Sequence, residues 1–470
     1  MSHTLENLFK DKTVTLLGAG ISNMPLAALI APHAKCLTVR DKKSEAELGE
    51  IAVQLHGLGV ELITGEDYLK DVNSDIVFRS PGIRPDVPEI AEAVARGAIL
   101  TSEMELFLTL APCPVYAITG SDGKTTTTTL TSLMLTEGGA EVFLGGNIGT
   151  PLLHRLPLMS ENSVVAAELS SFQLMTVDAP IEVAAITNIT PNHLNWHTGM
   201  DEYTEAKRRI LSRASRAVLN YDNDATRKIA AELSGIPVTL FSLSPIPAEV
   251  LSLYHSAVWL ENDVIYTCFP EEGVREIMKR GDIKLPGLHN VANYLTAIAV
   301  THGRVSAEGI RRVAREFGGV EHRLEFVRTL DGVTYINGSI DSSPTRTAAA
   351  LGAISDRPVV LIAGGYDKDI PYGPLADAIF SSSVRAAVLT GATADKIYAA
   401  ITAHPLYEEK LQSGFTLTKN ASFEGAVSDA RDIANAGDTV ILSPASASFD
   451  MFKNFEERGR YFKELVNKFE

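Results

Sequence analysis

The chain has 470 residues, of which 45% are hydrophobic and 21% charged, and it carries a formal net charge of −16 at pH 7. This length exceeds what one hydrophobic core usually serves, so about three domains are expected. The acidic balance, without any block of Lys or Arg, argues against nucleic acid and anionic membranes as partners.

The N-terminal sequence MSHTLENLFKDK lacks the basic and apolar layout of a signal peptide. No apolar run approaches the ~20 residues that a membrane span needs. Three widely spaced cysteines offer neither a metal-site spacing nor a disulfide framework. We therefore expect a reduced, cytoplasmic protein that does not insert into a membrane.

The first predicted segment opens with TVTLLGAGISN, an apolar strand followed by a Gly-x-Gly turn and the start of a helix. Further strands are predicted at CLTVRDKK, which ends at Asp41, and at DIVFRSPGI (75–83). A dinucleotide fingerprint needs a third glycine where this chain has Asn23, although Asp41 lies close to where a ribose-binding acid would stand. The pattern indicates a nucleotide-binding turn of undefined ligand, and a plain strand–turn–helix fits it equally.

The second segment contains VYAITGSDGKTTTTTL (115–130), which ends like a phosphate-binding loop although the usual motif needs a glycine at the position of Ile118. The two glycines of TGSDG allow a shorter loop, whose N–H groups would face an anion at the next helix N-terminus. Lys124 adds a positive charge and Thr125 a hydroxyl suited to Mg²⁺. A glycine turn with a solvated Lys124 is the alternative, but a run of β-branched threonines is a poor purely structural choice for a helix start.

Polar residues also follow other strands of this segment. Glu168 ends SVVAAE and His193 ends AAITNITPNH, so both are expected at carboxyl ends of parallel strands, where ligands bind. Each alone is more often structural. Lys207 in DEYTEAKRRI would by default be an exposed lysine, and Asn290 or Asn293 in LPGLHNVANY could simply cap a helix.

The third segment begins near Val320 and contains three further strand–turn–helix patterns. They are PVVLIAGGYDKD (358–369), RAAVLTGATADKI (385–397) and DTVILSPASASFDMF (438–452). Continuous apolar strands that alternate with helices predict an α/β fold with mostly parallel sheets.

The chain resembles the Mur ligase family over essentially its full length, through GSDGKTT, GGNIGTP, ELSSFQL, ITNITPNH, LPGLHN, EHRLE, GGYDK and SPASASFDMFKNFEERG, in this order. That family has a shortened T-G-x-x-G-K-[ST] loop, which residues 119–125 match at every position. The resemblance implies a Rossmann-like UDP-binding domain at 1–102, a central P-loop ATPase domain with a mostly parallel sheet at 103–319, and a C-terminal Rossmann-like domain at 320–470. The last motif and the SPGI at 80–83 are similar to members that join D-glutamate to UDP-N-acetylmuramoyl-L-alanine through an acyl phosphate.

The resemblance also implies roles for the matching residues. ATP would be bound by Gly120, Ser121, Asp122, Gly123, Lys124, Thr125, Thr126, Asn290, Asn293 and Arg323. Two magnesium ions would be bound, one by Thr125 and Glu168, the other by His193 and a carbamylated Lys207. Catalysis would depend on Lys124, Glu168, His193 and Lys207.

The resemblance assigns the remaining polar positions to the other substrates. The UDP would contact Ser22, Asp41 and Gly82, and the muramoyl-peptide arm would contact Asn147. D-Glutamate would be held by Ser342, Lys368, Ser448 and Phe455. The resemblance implies a monomer whose partners are these small molecules.

Two motifs depart from the family pattern. Where the family usually has N-D-S, this chain has Gly338 in the middle, and the acidic-basic pair that usually follows His193 is Asn195-Trp196. Asp341 would bring a carboxylate near the missing one if residues 338–342 form a helical turn, or it would cap the next helix.

Three other functions compete with this one. A sister ligase, either another Mur enzyme or one like folylpolyglutamate synthetase, would share the ATP-binding segment. A non-catalytic nucleotide-binding relative would explain the two departures. An NAD-dependent oxidoreductase would rest on GAGISN alone.

Overall fold

A computed structural model describes residues 2–20, 23–148, 151–194, 196–254, 256–285, 287–354 and 357–470. The chain forms two compact units, Met1–Glu316 and Phe317–Glu470. The described strands form three sheets, which are mostly parallel, so the predicted α/β class is confirmed. The domain limits at 102/103 and 319/320 stay predictions.

The first sheet has five parallel strands in the order β3-β2-β1-β4-β5. The strands are β1 (Thr13–Leu17), β2 (Cys36–Asp41), β3 (Glu61–Thr64), β4 (Ile76–Arg79) and β5 (Ile99–Thr101). The helices are α1 (Ser2–Phe9), α2 (Asn23–Ile30), α3 (Glu45–Leu48), α4 (Glu50–Gly57) and α5 (Pro88–Ala95). Strand β1 is almost wholly buried, as its apolar sequence requires.

The Gly-x-Gly turn after β1 is closed by a side chain. Asn23 Nδ2 donates to the carbonyl oxygens of Leu17 at 3.0 Å and Gly18 at 2.8 Å. A third glycine in a dinucleotide fingerprint would instead let helix and strand approach closely. The turn is therefore built differently from the one on which an NAD-binding interpretation rests.

The second sheet belongs to the same unit and has nine strands in the order β14-β13-β12-β11-β10-β9-β6-β8-β7. The strands are β6 (Val115–Thr119), β7 (Glu141–Gly146), β8 (Ser163–Glu168), β9 (Ile181–Ile186), β10 (Ala214–Asn220), β11 (Val238–Ser242), β12 (Ala257–Glu261), β13 (Val264–Phe269) and β14 (Gly273–Lys279). Only the pairs β12–β13 and β13–β14 among these are antiparallel. The helices are α6 (Glu103–Leu110), α7 (Lys124–Glu137), α8 (Ser171–Leu174), α9 (Met200–Arg208), α10 (Asp224–Glu232), α11 (Ala248–Tyr254), α12 (Leu288–Val300) and α13 (Ala307–Glu316).

The second unit contains a six-stranded sheet in the order β15-β16-β20-β17-β18-β19, in which only β15–β16 is antiparallel. The strands are β15 (Glu325–Leu330), β16 (Val333–Asn337), β17 (Val359–Ala363), β18 (Val384–Leu389), β19 (Thr416–Lys419) and β20 (Thr439–Leu442). The helices are α14 (Pro344–Ala353), α15 (Gly373–Ser381), α16 (Ala394–Thr402), α17 (Tyr407–Gln412), α18 (Phe423–Ile433) and α19 (Phe455–Asn467). None of the helices in the described part of the chain combines the length and apolar character that crossing a membrane requires.

Candidate active site

The shortened loop joins strand β6 to helix α7 and depends on its two glycines. Gly120 has φ +152°, and a Cβ there would lie 1.9 Å from Thr187 Oγ1. Gly123 has φ +76°, and a Cβ there would lie 2.2 Å from Asn293 Oδ1. Ile118, which occupies the position of the usual first glycine, is fully buried inside β6. The strand therefore runs further than in the usual motif, and the turn begins at Gly120.

The loop is tied to the end of strand β9 by polar groups that the sequence analysis did not single out. Thr187 Oγ1 donates to the Asp122 carbonyl at 2.6 Å, and Asp122 N donates to Asn188 Oδ1 at 3.0 Å. Ser121 Oγ donates to the carbonyl of Thr190 at 2.9 Å. The available signal was the polar run TNIT directly after a buried strand. These bonds fix the loop before any ligand arrives.

Lys124 begins helix α7 and folds back over the loop. Its Nζ donates to the carbonyl oxygens of Gly120 and Ser121, each at 2.9 Å. In the first turn of the helix, the hydroxyl of the buried Thr128 donates a hydrogen bond to the main-chain carbonyl of Lys124 at 2.8 Å. The ammonium group thus lies where an anion bound by the loop would meet it.

Asn290 and Asn293 lie within helix α12 and do not cap it. The N-cap of α12 is Gly287, which makes no side-chain capping bond. Asn293 lies against Gly123 and accepts a hydrogen bond from Thr127 Oγ1 at 3.3 Å, while its Nδ2 donates to Asn290 Oδ1 at 3.3 Å. The structure therefore brings Asn293 to the shortened loop and places Asn290 next to Asn293.

Glu168, at the end of β8, is a buried carboxylate of which only one oxygen makes a hydrogen bond to a described residue. Its side chain is 2% exposed, and Oε1 accepts a hydrogen bond from Asn147 Nδ2 at 2.8 Å. The other oxygen, Oε2, is buried and has no hydrogen-bond partner among the described residues. A buried carboxylate oxygen in this state is costly unless a cation coordinates it. Oxygen donors of this kind fit Mg²⁺.

His193 is held in an unusual conformation beside the loop. Its φ of 54° lies in the left-handed region, and its carbonyl accepts hydrogen bonds from Trp196 N and His197 N, both at 3.0 Å. Burial, and then the charges of Lys124 and Lys207, lower the pKa of His193. The imidazole is therefore neutral near pH 7, which is the form that binds metal ions.

Lys207 is buried, contrary to the default expectation of an exposed lysine. It is 1% exposed, and its Nζ donates to Gly120 O at 2.6 Å. The same Nζ lies 4.6 Å from the centre of the Tyr203 ring. Burial, followed by the charge of Lys124, lowers the pKa of Lys207 to about 6. The amine is mostly uncharged at neutral pH, and Glu168 lies within range of its field.

The described residues contain no group of three or more His, Cys, Asp or Glu side chains that could hold a metal ion. The predicted magnesium ligands also include Thr125 and Lys207, which do not belong to these four residue types. Thr125 is buried at the start of α7.

The predicted UDP-binding residues lie at the first sheet. Asp41 Oδ2 accepts a hydrogen bond from Ala19 N at 2.7 Å, which places its carboxylate at the Gly-x-Gly turn. The carbonyl of Gly82 accepts a hydrogen bond from Trp196 Nε1 at 3.4 Å. Ser22 lies outside the described residues, as does Asn195.

In the second unit, three of the four predicted D-glutamate residues lie on loops after parallel strands, and the fourth begins a helix. Lys368 is exposed after β17, and Ser342 is partly buried between β16 and α14. Ser448 is 2% exposed after β20, and Phe455 begins α19. Arg323 precedes β15, where its N–H donates to Val320 O at 3.0 Å.

These loops are tied together by a buried arginine that the sequence analysis missed. Arg458 is 2% exposed and donates to the carbonyl oxygens of Ala447 at 3.0 Å, Ser446 at 3.1 Å and Ser339 at 2.9 Å. Its Nε also donates to Ser339 Oγ at 3.0 Å. The only sequence signal was a charged residue on the buried face of α19.

A chain of buried hydroxyl groups completes the same network. Ser446 Oγ hydrogen bonds to Tyr372 OH at 2.8 Å and to Thr393 Oγ1 at 2.9 Å. Thr393 Oγ1 also accepts from Gly365 N at 3.0 Å, so the loops after β17, β18 and β20 are linked.

The carboxylate of Asp341 lies beside Gly338, the position at which the family usually has an aspartate. A Cβ on Gly338 would lie 2.7 Å from Asp341 Oδ2, because Asp341 N donates to Gly338 O in a tight turn. Asp341 Oδ2 accepts a hydrogen bond from Ser443 Oγ at 2.8 Å, and burial raises the pKa of Asp341 to about 6. The N-cap of α14 is Ser343, so the hypothesis that Asp341 caps this helix is wrong.

Strands β8 and β9 flank β6 in the sheet; Glu168 stands at the end of β8, whereas His193 lies in the segment after β9 and not at the strand end that the sequence predicted. A short glycine loop at a helix N-terminus, with a buried acid and a neutral imidazole on loops of the same sheet, has the groups that an α/β protein uses to bind phosphate and a metal ion. Residues 118–301 match the family described as the Mur ligase middle domain, and residues 322–446 match the Mur ligase glutamate ligase domain. The chain belongs to the Mur ligase family.

Individual relatives agree with that membership. The UDP-N-acetylmuramoylalanine--D-glutamate ligase of Ruminiclostridium cellulolyticum is 45% identical over 99% of this chain and 99% of its own length. The enzyme of the same name from Acetivibrio thermocellus is 46% identical over 98% of this chain and 97% of its own. A solved UDP-N-acetylmuramoyl-L-alanyl-D-glutamate--2,6-diaminopimelate ligase covers 99% of this chain and is itself covered to 94%, with a TM-score of 0.54 at 15% identity, which supports the fold.

Proposed function

We propose that the chain is an ATP-dependent ligase that joins the amine of D-glutamate to the alanyl carboxylate of UDP-N-acetylmuramoyl-L-alanine, a step in the synthesis of peptidoglycan precursors. The observation that carries the proposal is the shortened loop with Lys124 folded over it and the buried Glu168 beside it. Relatives that are 42–46% identical over nearly the full length bear the name of this ligase.

The chemistry explains why a phosphate-binding loop is needed. An amine does not attack a carboxylate at useful rates, so a carboxylate oxygen first attacks the γ-phosphorus of ATP, and the bond to ADP breaks. The neutral amine nitrogen of D-glutamate then attacks the carbonyl carbon of the acyl phosphate, inorganic phosphate leaves with the electrons of the broken C–O bond, and the nitrogen loses one proton to water. Lys124, the loop N–H groups and the N-terminus of α7 stabilise the charge of the transferred phosphoryl group.

The residues present fit magnesium. We assign Thr125 and Glu168 to one ion because Glu168 Oε2 is buried and makes no hydrogen bond to a described residue. We assign His193 and a carbamylated Lys207 to the second. Magnesium neutralises phosphate oxygens when it is bound.

Carbamylation of Lys207 is supported by its environment. The uncharged amine adds to carbon dioxide and loses one proton, which yields an anionic carbamate. Burial lowers the pKa of Lys207 to about 6, so the reactive form dominates at neutral pH. An ammonium group, by contrast, cannot coordinate a cation.

We assign the remaining ligands as the family resemblance does. Loop residues Gly120 to Thr126, Asn290, Asn293 and Arg323 are assigned to ATP. Asp41, Gly82 and Ser22 are assigned to UDP, and Asn147 to the muramoyl-peptide arm. Ser342, Lys368, Ser448 and Phe455 are assigned to D-glutamate. The corresponding domains are 1–102, 103–319 and 320–470, and we expect a cytoplasmic monomer.

The test is release of inorganic phosphate by the purified protein with ATP, Mg²⁺, UDP-N-acetylmuramoyl-L-alanine and D-glutamate, with each component omitted in turn. Phosphate release that requires all four, and a product heavier by one glutamyl residue, are expected. L-Glutamate replaces D-glutamate as a stereochemical control. L-Alanine with UDP-N-acetylmuramate, and diaminopimelate with UDP-N-acetylmuramoyl-L-alanyl-D-glutamate, serve as the alternative substrate pairs. Turnover with one of these and not with D-glutamate would make the chain a sister ligase, and no turnover with any would make it a non-catalytic relative.

A further inference from the structure

A cluster of charged and aromatic contacts joins the loop after β4 of the first sheet to the segment after β9 of the second. Arg84 Nη2 lies 2.9 Å from Glu202 Oε2, and Arg84 Nη1 lies 3.1 Å from Glu202 Oε1. Arg84 Nη1 also donates to the carbonyl of Trp196 at 2.6 Å. The guanidinium carbon stands 5.0 Å from the centre of the Trp196 ring, whose Nε1 donates to Gly82 O at 3.4 Å. We call Gly82, Arg84, Trp196 and Glu202 the Arg84 clasp.

The charged groups of the clasp are partly shielded from solvent and are hydrogen bonded to each other. The side chains of Arg84 and Glu202 are 21% and 22% exposed. Two parallel N–H···O bonds give the pair the bidentate geometry that makes an arginine–carboxylate contact specific. Arg84 also forms an ion pair with Asp86. The hydrogen bonds from Arg84 to Glu202 are the largest cause that lowers the pKa of Glu202 to about 2. The pair therefore stays ionised across the neutral range.

The clasp also fixes the conformation of His193. Trp196 N donates to the carbonyl of His193, and the Phe172 ring contacts both Trp196 at 4.6 Å and His193 at 5.0 Å between ring centres. His197 Nδ1 lies 2.9 Å from Glu202 Oε1, and His197 N donates to the same His193 carbonyl. A left-handed backbone at a histidine persists only where its surroundings determine it. These contacts supply that constraint.

We propose that Arg84 and Trp196 are positioning residues that hold the Gly82 loop and His193 at a fixed separation, so that a substrate bound at the first sheet presents its carboxylate to the metal-binding side of the second. Trp196 stands at one of the two departures from the family pattern. Here its indole joins the first sheet's loop to the turn after His193. The inference depends on the proposed roles of Gly82 and His193.

The chain offers a matched control for Arg84. Arg227 forms an ion pair with Asp224, and its guanidinium carbon lies 5.6 Å from the centre of the Tyr221 ring. These contacts are of the same kinds, but they stay around helix α10. Arg227→Ala thus removes an ion pair and a cation–π contact without touching the clasp.

The kinetic experiment compares Arg84→Ala, Arg84→Lys, Trp196→Phe and Arg227→Ala. Arg84→Ala should lower kcat/KM for UDP-N-acetylmuramoyl-L-alanine by about 10- to 100-fold, the scale of a misplaced reacting group, with the KM for ATP unchanged. Arg84→Lys should recover only part of this loss, since lysine cannot make the bidentate contact. Trp196→Phe should fall between wild type and Arg84→Ala, and Arg227→Ala should match wild type. A rise in the KM for ATP, or no loss of kcat/KM for UDP-N-acetylmuramoyl-L-alanine in Arg84→Ala, would overturn the proposal.

A second measurement separates failure of the clasp from failure of the proposed function. The chain has two tryptophans, so Trp259→Phe leaves Trp196 as the only indole. In that background, acrylamide should quench Trp196 emission more strongly in Arg84→Ala than in wild type, because the guanidinium no longer covers the indole, and Arg227→Ala should match wild type. Unchanged quenching in Arg84→Ala would overturn the clasp even for an active ligase. Increased quenching in a protein without ligase activity would retain the clasp and reject the function.

Discussion

Two regions of the molecule are built from small polar residues at the carboxyl ends of parallel strands: the shortened loop after β6, and the loops after β17, β18 and β20 in the second unit. They differ in how far their buried polar groups are hydrogen bonded. Around the phosphate loop, Glu168 Oε2 is buried without a hydrogen bond to a described residue, and Lys207 is buried with its pKa lowered to about 6. In the second unit, Arg458 is equally buried but makes four hydrogen bonds to Ser339, Ser446 and Ala447.

The difference indicates what each region is prepared to do. Burying a polar group without a hydrogen bond costs free energy, and coordination of a cation by Glu168 or carbamylation of Lys207 would lower that cost. A satisfied network instead fixes loop positions and leaves recognition to side chains outside it, such as the exposed Lys368. Substitutions in the first region should therefore affect turnover, and those in the second should affect one substrate.

The largest effect is expected at Lys207. Lys207→Ala should abolish turnover, because it removes the proposed carbamate ligand, and short carboxylic acids should restore part of the activity by occupying its place. Rates with and without added acetate, and the intact mass under native conditions, are the measurements. Lys228→Ala, which changes a side chain that is 80% exposed in the same unit, serves as the control. An active preparation with unmodified Lys207 and no rescue by acids would contradict carbamylation.

The next largest effect concerns Lys124. Lys124→Ala should lower kcat by at least ~100-fold, the scale of a removed transition-state donor. The fold should survive, because the two hydrogen bonds that the Lys124 ammonium donates go to carbonyls of its own loop. Steady-state kinetics and thermal unfolding together test this. Near-normal turnover in a folded variant would reject the loop as the phosphate site.

A substrate-specific effect is expected at Lys368. Lys368→Ala should raise the KM for D-glutamate by about 10- to 150-fold, the equivalent of a charge-assisted hydrogen bond of roughly 1.5–3 kcal/mol. The KM for ATP should change far less. Lys468→Ala, an exposed lysine at the end of α19, is the control. Equal increases for all substrates would mean that Lys368 does not recognise D-glutamate.

The local parts of both regions could be predicted from the sequence because they depend on short-range chemistry. Gly120 and Gly123 are fixed by backbone conformation and by the close approach of Thr187 and Asn293. The strands around them are continuous apolar runs, which predict buried parallel sheets.

The long-range contacts could not be predicted in this way. Arg84 meets Glu202, and Arg458 meets Ser339, across more than a hundred positions of sequence. Nothing in the local pattern of a surface-type residue reveals such a partner, since the packing of whole elements decides it. Burial of Lys207 has the same origin, because the helical pattern DEYTEAKRRI is compatible with an exposed lysine.

The smallest effect on turnover is expected at Asp341, whose carboxylate lies where a side chain at position 338 would begin. We expect Asp341 to replace the carboxylate missing there, so Asp341→Asn should raise the KM for ATP several-fold. Gly338→Asp in the wild-type background should fail to improve it, because a Cβ at 338 would lie 2.7 Å from Asp341 Oδ2 and 2.8 Å from Leu442 O.

Stability should move in the opposite direction, which separates the functional role from a structural one. Burial raises the pKa of Asp341 from 3.8 to about 6, so the folded protein carries a penalty for the charged form that develops as the pH rises through this window. Asp341→Asn should therefore unfold at a higher temperature than wild type at pH 8, and this advantage should vanish below about pH 4, where the carboxyl is protonated in both states. At roughly 1.4 kcal/mol per pKa unit, the gain amounts to a few kcal/mol. An unchanged KM for ATP together with lowered stability at pH 8 would leave Asp341 a purely structural residue.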